Sequence, residues 1–171
     1  PAILDHLGNG DLVLRKAAYD QGVFEFTTPS AYLESNEVLQ VVQPCASSWG
    51  NKGYWEVWLD RSNAWIYPHL HAAARRMTAM ARKHAKTRAR WRSETLAQMA
   101  RELLLAQSSD WAFLMRTGTA GDYAAKRTKD HLLRFNRLHD GLAAGRPDGD
   151  FLAACRERDN IFPDLEWRYY V

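Results

Sequence analysis

The stretch AGDYAAKRTKDHLLRFNRLHDG, residues 120–141, decides the fold class. Tyr123, Ala124, Arg127, His131, Phe135 and Leu138 recur at helical spacing along one face. That period marks a long amphipathic α-helix. Working outward, the turn Gly145-Arg146-Pro147-Asp148-Gly149 ends it, and Asp150 to Arg158 reads as a last short helix. On the other side, Ser108-Ser109-Asp110 offers an N-cap for a short helix through Arg116, stopped at Gly118. Thr95 to Gln107 places Leu96, Met99, Leu103 and Ala106 on one face. Tyr67 to Lys86 does the same with Leu70, Ala73, Ala74, Met77 and Ala81. The expectation is a mostly α protein, a bundle of about five helices. Short turns favour antiparallel neighbours.

The N-terminal third is less regular. Pro1 to Gln21 reads as two helical pieces broken by Gly8-Asn9-Gly10-Asp11. Val23–Phe26 and Val38–Val42 read as extended pieces, and a short helix starts near Thr28 or Ser30 and ends near Asn36. Residues 45–64 form a loop crowded with Trp49, Tyr54, Trp55 and Trp58. The expected organisation is one helical domain over 1–171. It comprises short helices, extended pieces and the Trp-rich loop over 1–66, the main bundle over 67–158, and an irregular tail over 159–171.

Composition narrows the function classes. The 171 residues are 46% hydrophobic and 25% charged, ordinary for a globular chain. The net charge of +3 neither demands nor excludes an anionic partner. No run approaches a membrane span of ~18–20 apolar residues, and no signal peptide is visible. Cys45 and Cys155 sit in no metal-like spacing and read as free thiols of a cytoplasmic protein. The chain starts at Pro1 rather than Met, so the parent protein is expected to extend upstream.

Four constellations bear on chemistry. Seven Trp in so short a chain are unusual. An indole face stacks on the apolar C–H face of a pyranose, so Trp49 and Trp58 fit a sugar platform, although large aromatics more often fill cores. The basic run Arg75, Arg76, Arg82, Lys83, His84, Lys86, Arg88, Arg90, Arg92 could meet phosphates. Its cations spread around the helix, so a solvated face, or one docked on an acidic neighbour, is the better reading and nucleic acid is disfavoured as a partner. Asp148, Asp150, Asp159, Asp164 and Glu166 cluster late in the chain but read as caps and turn residues, not as a glycosidic acid/base pair. His69 and His71 have no further ligand at metal spacing, so no metal and no cofactor are assigned.

The loop Ala46-Ser47-Ser48-Trp49-Gly50 with Gly53-Tyr54-Trp55 and Trp58-Leu59, then Trp65-Ile66-Tyr67-Pro68, resembles the C-terminal region of family 57 glycoside hydrolases of the branching-enzyme type. So do Leu104-Leu105-Ala106-Gln107-Ser108-Ser109-Asp110-Trp111 with Thr117-Gly118-Thr119, and the pieces Tyr123-Ala124, Arg127-Thr128, His131 and Arg134-Phe135. The ending Asp159-Asn160-Ile161-Phe162-Pro163 agrees as well. The resemblance runs from Leu14 onward; the Gly8–Asp11 segment departs from it, where one continuous helix is expected. It implies a parent enzyme that cuts an α-1,4-glucan and transfers the piece to a 6-hydroxyl to make a branch. Amylose-like or glycogen-like α-glucan would be its substrate. The catalytic Glu and Asp would lie in an upstream β/α-barrel, the domain's expected partner, so no catalytic residue is assigned here. By position, Trp49 and Trp58 resemble tryptophans that reach toward the active-site cleft. The alternative reading is an independent helical module whose basic helix binds nucleic acid or another polyanion.

Overall fold

The computed structural model describes Lys16, residues 19–22 and residues 26–171. The chain divides into two compact units, Pro1–Cys45 and Ala46–Val171.

In the first unit, α1 spans Pro29–Ser35. Thr28 caps it, its hydroxyl accepting the Ala31 N–H at 3.2 Å, and Pro29 takes the first turn, where a missing N–H costs nothing. None of its residues is buried. The run 38–42, expected as an extended piece, is neither helix nor strand, and Val38 and Val41 are 91% and 96% exposed. The helical pieces expected before Gln21 and the extended piece at Val23–Phe26 fall largely outside the described residues.

The second unit carries the bundle. After a loop with a 3-10 turn at Asn51–Gly53 come α2 (Ile66–Lys83), α3 (Arg90–Ala106), α4 (Ser109–Thr117), α5 (Gly121–Ala143) and α6 (Gly149–Arg158), then a 3-10 turn at Trp167–Tyr170. No strand occurs among the described residues. None of the described helices is long and apolar enough to cross a membrane.

Local chemistry sets the ends. Pro68 falls in the first turn of α2, where its ring is tolerated. The pair Arg90–Glu94, at 2.9 Å and four residues apart, extends α3 a turn ahead of the expected start at Thr95. Ser108 occupies the N-cap of α4 without a hydroxyl cap bond, while Asp110 puts negative charge in the first turn. Gly118, at φ 74°, closes α4 in the left-handed region that a β-carbon disfavours. Asp148 caps α6 by accepting the Phe151 N–H at 3.0 Å.

The helix α3 is the axis of the bundle. It packs against α2, α5, α6 and the C-terminal turn. Leu96, Met99, Ala100 and Leu103 meet Met77 and Ala81 of α2, Phe135 and Leu138 of α5, and Trp167 in one core. Because α3 is enclosed on several sides, Thr95, Gln98, Arg101 and Glu102 are buried with it. The tail from residue 159 is irregular until its final turn. There Trp167, only 2% exposed, enters the core and donates its Nε1–H to Ser93 Oγ at 2.8 Å.

Arg101 holds that tail. Its guanidinium donates to the carbonyls of Ile161, Phe162 and Pro163 at 2.9–3.3 Å. Truncating it removes the donor shared by these carbonyls and frees the segment that carries Trp167. Arg101→Ala is expected to cost about 3 kcal/mol in urea unfolding, from lost charge-assisted bonds; unchanged stability would contradict the clamp.

Cys45 and Cys155 are free thiols, Cys45 exposed and Cys155 buried. Burial, with help from the charge of Glu102, pushes the Cys155 thiol up to about 11. It therefore stays protonated and inert at pH 8. Iodoacetamide at pH 8 should label Cys45 alone in the folded chain and both cysteines after denaturation. Rapid native labelling of Cys155 would be the contrary result.

Candidate functional site

Two constructions in the second unit combine polar or aromatic groups. The first is the tryptophan loop. Ser48 closes it into a ring: its backbone N–H donates to Gly53 O at 2.8 Å and its hydroxyl to Tyr54 O at 2.6 Å. Gly50 sits where the two arms cross. A β-carbon there would lie 2.1 Å from Tyr54 O, so only glycine fits. The ring presents Trp49 at its tip, 83% exposed.

The second arm of the loop is anchored. Asn63 is fully buried, and its amide donates to Val57 O at 2.9 Å and Ala112 O at 3.1 Å. Its Oδ1 accepts the Asp60 N–H at 2.8 Å. One side chain thus ties the loop to α4. Tyr67 adds a hydroxyl bond to the Trp58 carbonyl. Asp60 accepts the backbone N–H and hydroxyl of Ser62 at 2.9 Å, bonds that hold its carboxyl below the usual range.

These anchors produce a graded stack of rings. Trp49 lies 6.2 Å from Trp58, centroid to centroid, at 32°. Trp58 lies 6.2 Å from Phe113 of α4, at 39°. Phe113 and Trp58 are half-buried and Trp49 is exposed, so the stack leads from the bundle to solvent. Tyr54, Trp55 and Leu59 are also more than half or half exposed, at 56%, 50% and 57%. An exposed apolar patch of this kind marks a binding surface. The structure brings both sequence-expected residues together, and it adds Phe113. Trp111, in contrast, serves the scaffold: its Nε1–H donates to Leu105 O at 2.7 Å.

The second construction is a buried polar junction. Glu102 of α3, His131 of α5 and Asp159 after α6 bring ligand-type atoms within 4.8 Å of one another. Metal-like spacing was absent from the sequence, and this trio is assembled by the fold. The fit to a cation is poor, because Arg134 Nη1 occupies the junction. It lies 3.1 Å from Asp159 Oδ2, 3.8 Å from Glu102 Oε2 and 3.3 Å from His131 Nδ1. The guanidinium already supplies the positive charge.

Hydrogen-bond partners fix the histidine. Nδ1–H donates to Glu102 Oε2 at 2.7 Å, and Nε2 accepts from Arg127 Nη2 at 3.0 Å. Gln98 completes the set, donating to Glu102 Oε1 and to the Cys155 and Asp159 carbonyls. Of the late carboxylates, Asp148 and Glu166 are caps and Asp159 is ion-paired. In the basic run, Arg90 pairs with Glu94, Arg76 donates to Asn136, and Arg92 lies over Trp91. The remaining cations, Arg75, Arg82, Lys83, Lys86 and Arg88, are exposed on α2 and the segment that follows it.

The second unit is thus a helical scaffold that presents aromatic rings and keeps its buried carboxylates Glu102 and Asp159 committed to ion pairs and hydrogen bonds. Comparisons with known proteins show the family to which such a scaffold belongs. Residues 69–170 match the family model described as 1,4-alpha-glucan branching enzyme, C-terminal. The chain is 35% identical over 159 residues to a 1,4-alpha-glucan branching enzyme of Thermococcus kodakarensis, covering 90% of this chain and 23% of that protein. The crystal structure of that enzyme, in complex with glucose and additives, superposes with a TM-score of 0.79 at 32% identity, over 91% of this chain and 29% of its own. A GH57-type branching enzyme of Pyrococcus horikoshii gives a TM-score of 0.76 at 32% identity, over 88% of this chain and 29% of that one. An alpha-amylase of Thermotoga maritima gives 0.72 at 37% identity, over 91% and 28%. The chain belongs to the family of 1,4-alpha-glucan branching enzyme C-terminal domains. It spans less than a third of the length of these relatives.

Two outcomes follow from the anchors. Asn63→Ala leaves buried carbonyls and an N–H unpaired, and should lower stability by about 1–3 kcal/mol in urea unfolding. Glu102→Ala leaves the charge of Arg134 buried with one carboxylate fewer, and should cost about 3–5 kcal/mol by the same measurement. A neutral result for either would show that its bonds carry no net stability.

Proposed function

We propose that this chain is the C-terminal domain of an enzyme that cuts α-1,4-glucan and transfers the piece to form α-1,6 branches, and that it lends Trp49 and Trp58 to the acceptor side of the cleft. The catalytic Glu and Asp would reside in a barrel outside this chain. The observation that carries the reading is the ring stack from Phe113 through Trp58 to Trp49, in a chain of this family.

The physics suits transfer. A glycosyl-enzyme intermediate is resolved by water or by a sugar hydroxyl. Indole walls exclude water and offer stacking faces to a glucan acceptor, so they favour the sugar. The anchoring by Asn63 and Tyr67 would hold Trp58 in place before the acceptor arrives, which reduces the ordering cost of binding. Similarity to an alpha-amylase as well as to branching enzymes makes the partition between hydrolysis and transfer the quantity to measure.

In the full-length parent enzyme, Trp49→Ala and Trp58→Ala should each lower the ratio of branching to hydrolysis by about tenfold, equivalent to ~1.4 kcal/mol of lost acceptor stabilisation. Branch points are counted by debranching and chain-length analysis, and hydrolysis by new reducing ends. An unchanged ratio in both variants would refute the assignment of these tryptophans.

A further inference from the structure

We propose that the groove between α2 and α5 is a second binding site for α-1,4-glucan, separate from the tryptophan loop. This inference rests on the α-glucan reading above. The groove is lined by Trp65, His69, Lys129, Leu132, Leu133 and Asn136, and its volume is about 460 Å³. That falls within the ~300–1,000 Å³ of small-ligand sites, which are mostly apolar with a few placed polar groups.

The construction is regular. Lys129, Leu132, Leu133 and Asn136 follow one stripe of α5 at helical spacing, and Trp65 and His69 lie one turn apart at the start of α2. His69 meets the Trp65 ring edge-on at 6.4 Å, which braces the indole. Trp65 is half-buried against the core, whereas Leu133 is 67% exposed. A leucine so exposed beside an indole is an apolar surface awaiting a partner.

The polar rim indicates what kind of partner. No carboxylate lines the groove. Lys129 Nζ rests over the Trp65 ring, 5.3 Å from its centroid, and forms no ion pair among the described residues. Asn136 accepts from Arg76 at 2.7 Å through its oxygen, which leaves its amide N–H groups to donate. The rim therefore offers N–H donors to oxygen acceptors around a stacking plate. A glucosyl unit matches both: its C–H face covers an indole, and its hydroxyls meet Lys129 and Asn136. Lys129 must swing off the indole as the sugar arrives. A purely apolar helix or an acyl chain would strand those donors.

The gain is one of local concentration. A long glucan held at a second point on the same domain makes its encounter with the cleft effectively intramolecular. A short oligosaccharide cannot span both points and gains nothing.

The test uses the full-length parent with Trp65→Ala and, because Leu133 is exposed and its replacement leaves the core intact, Leu133→Glu. Dissociation constants for amylopectin are read from affinity electrophoresis, and KM and kcat from amylose and from maltoheptaose. Both variants should bind amylopectin about tenfold more weakly, a loss of ~1.4 kcal/mol. KM for amylose should rise, while kcat and KM for maltoheptaose stay at wild-type values. Wild-type retention by both variants overturns the groove, and so does unchanged retention accompanied by lost kcat, which would mark the groove as a contact with the catalytic domain. A parent that neither branches nor hydrolyses glucan defeats the functional reading. Variant-sensitive retention in such a parent would still support the groove, and failure of the wild type to be retained would overturn it.

Discussion

The burial of Glu102 on α3 is the constraint on which the bundle turns. A carboxylate removed from water must be matched by donors and positive charge, or the helix cannot be enclosed. Four side chains from three elements meet that demand. Gln98 answers from the same helix, His131 and Arg134 from α5, and Asp159 balances Arg134 from the end of α6. The C-terminal carbonyls then close over Arg101, the residue next to Glu102 on α3. The junction sets which helix faces meet as well as adding attraction. An apolar core of Leu, Met and Ala tolerates sliding, whereas a histidine that must donate to one atom and accept at another does not.

That rigidity gives the tryptophan loop its meaning. Phe113 stands on α4, which packs on α5, so the base of the ring stack is part of the bundle. Asn63 and Tyr67 fix the backbone of the loop on either side of Trp58. Trp49 rides on a ring closed by Ser48 and permitted by Gly50. A ring held this way reaches solvent without the entropy of a loose side chain. On the proposed reading, such a ring meets a flexible polysaccharide already ordered.

Much of the helical frame is legible in the sequence because its signals are local. The Leu96–Met99–Leu103 spacing, the glycine at 118 and the turn at 145–149 each specify structure within a few residues. The Trp-rich loop is equally visible as a break in periodicity. The polar junction is not. Glu102 and His131 are 29 residues apart and Gln98 and Cys155 are 57 apart, so no spacing rule joins them. On a helical wheel Gln98, Arg101 and Glu102 pass for a solvated face of α3. They are buried because α6 and the tail cover that face, which periodicity in α3 cannot register. Asn63 is hidden for the same reason, since its partner Ala112 is 49 residues away. Phe113 reads as an ordinary apolar residue of a short helix until the loop is laid against it. The run Val38–Val42, expected as an extended piece, is neither helix nor strand.

The central claim is that α3, α5, α6 and the tail form one cooperative body through this junction. Native-state hydrogen exchange tests it most directly, read at the amides of α3 and α5 and at the indole N–H of Trp167. All should exchange only through global opening, with free energies that agree and that fall together as urea is added. If the Trp167 indole and the amides of residues 159–170 exchange through a separate, lower-energy opening while α3 and α5 remain protected, the tail is merely laid against the bundle and the account is wrong.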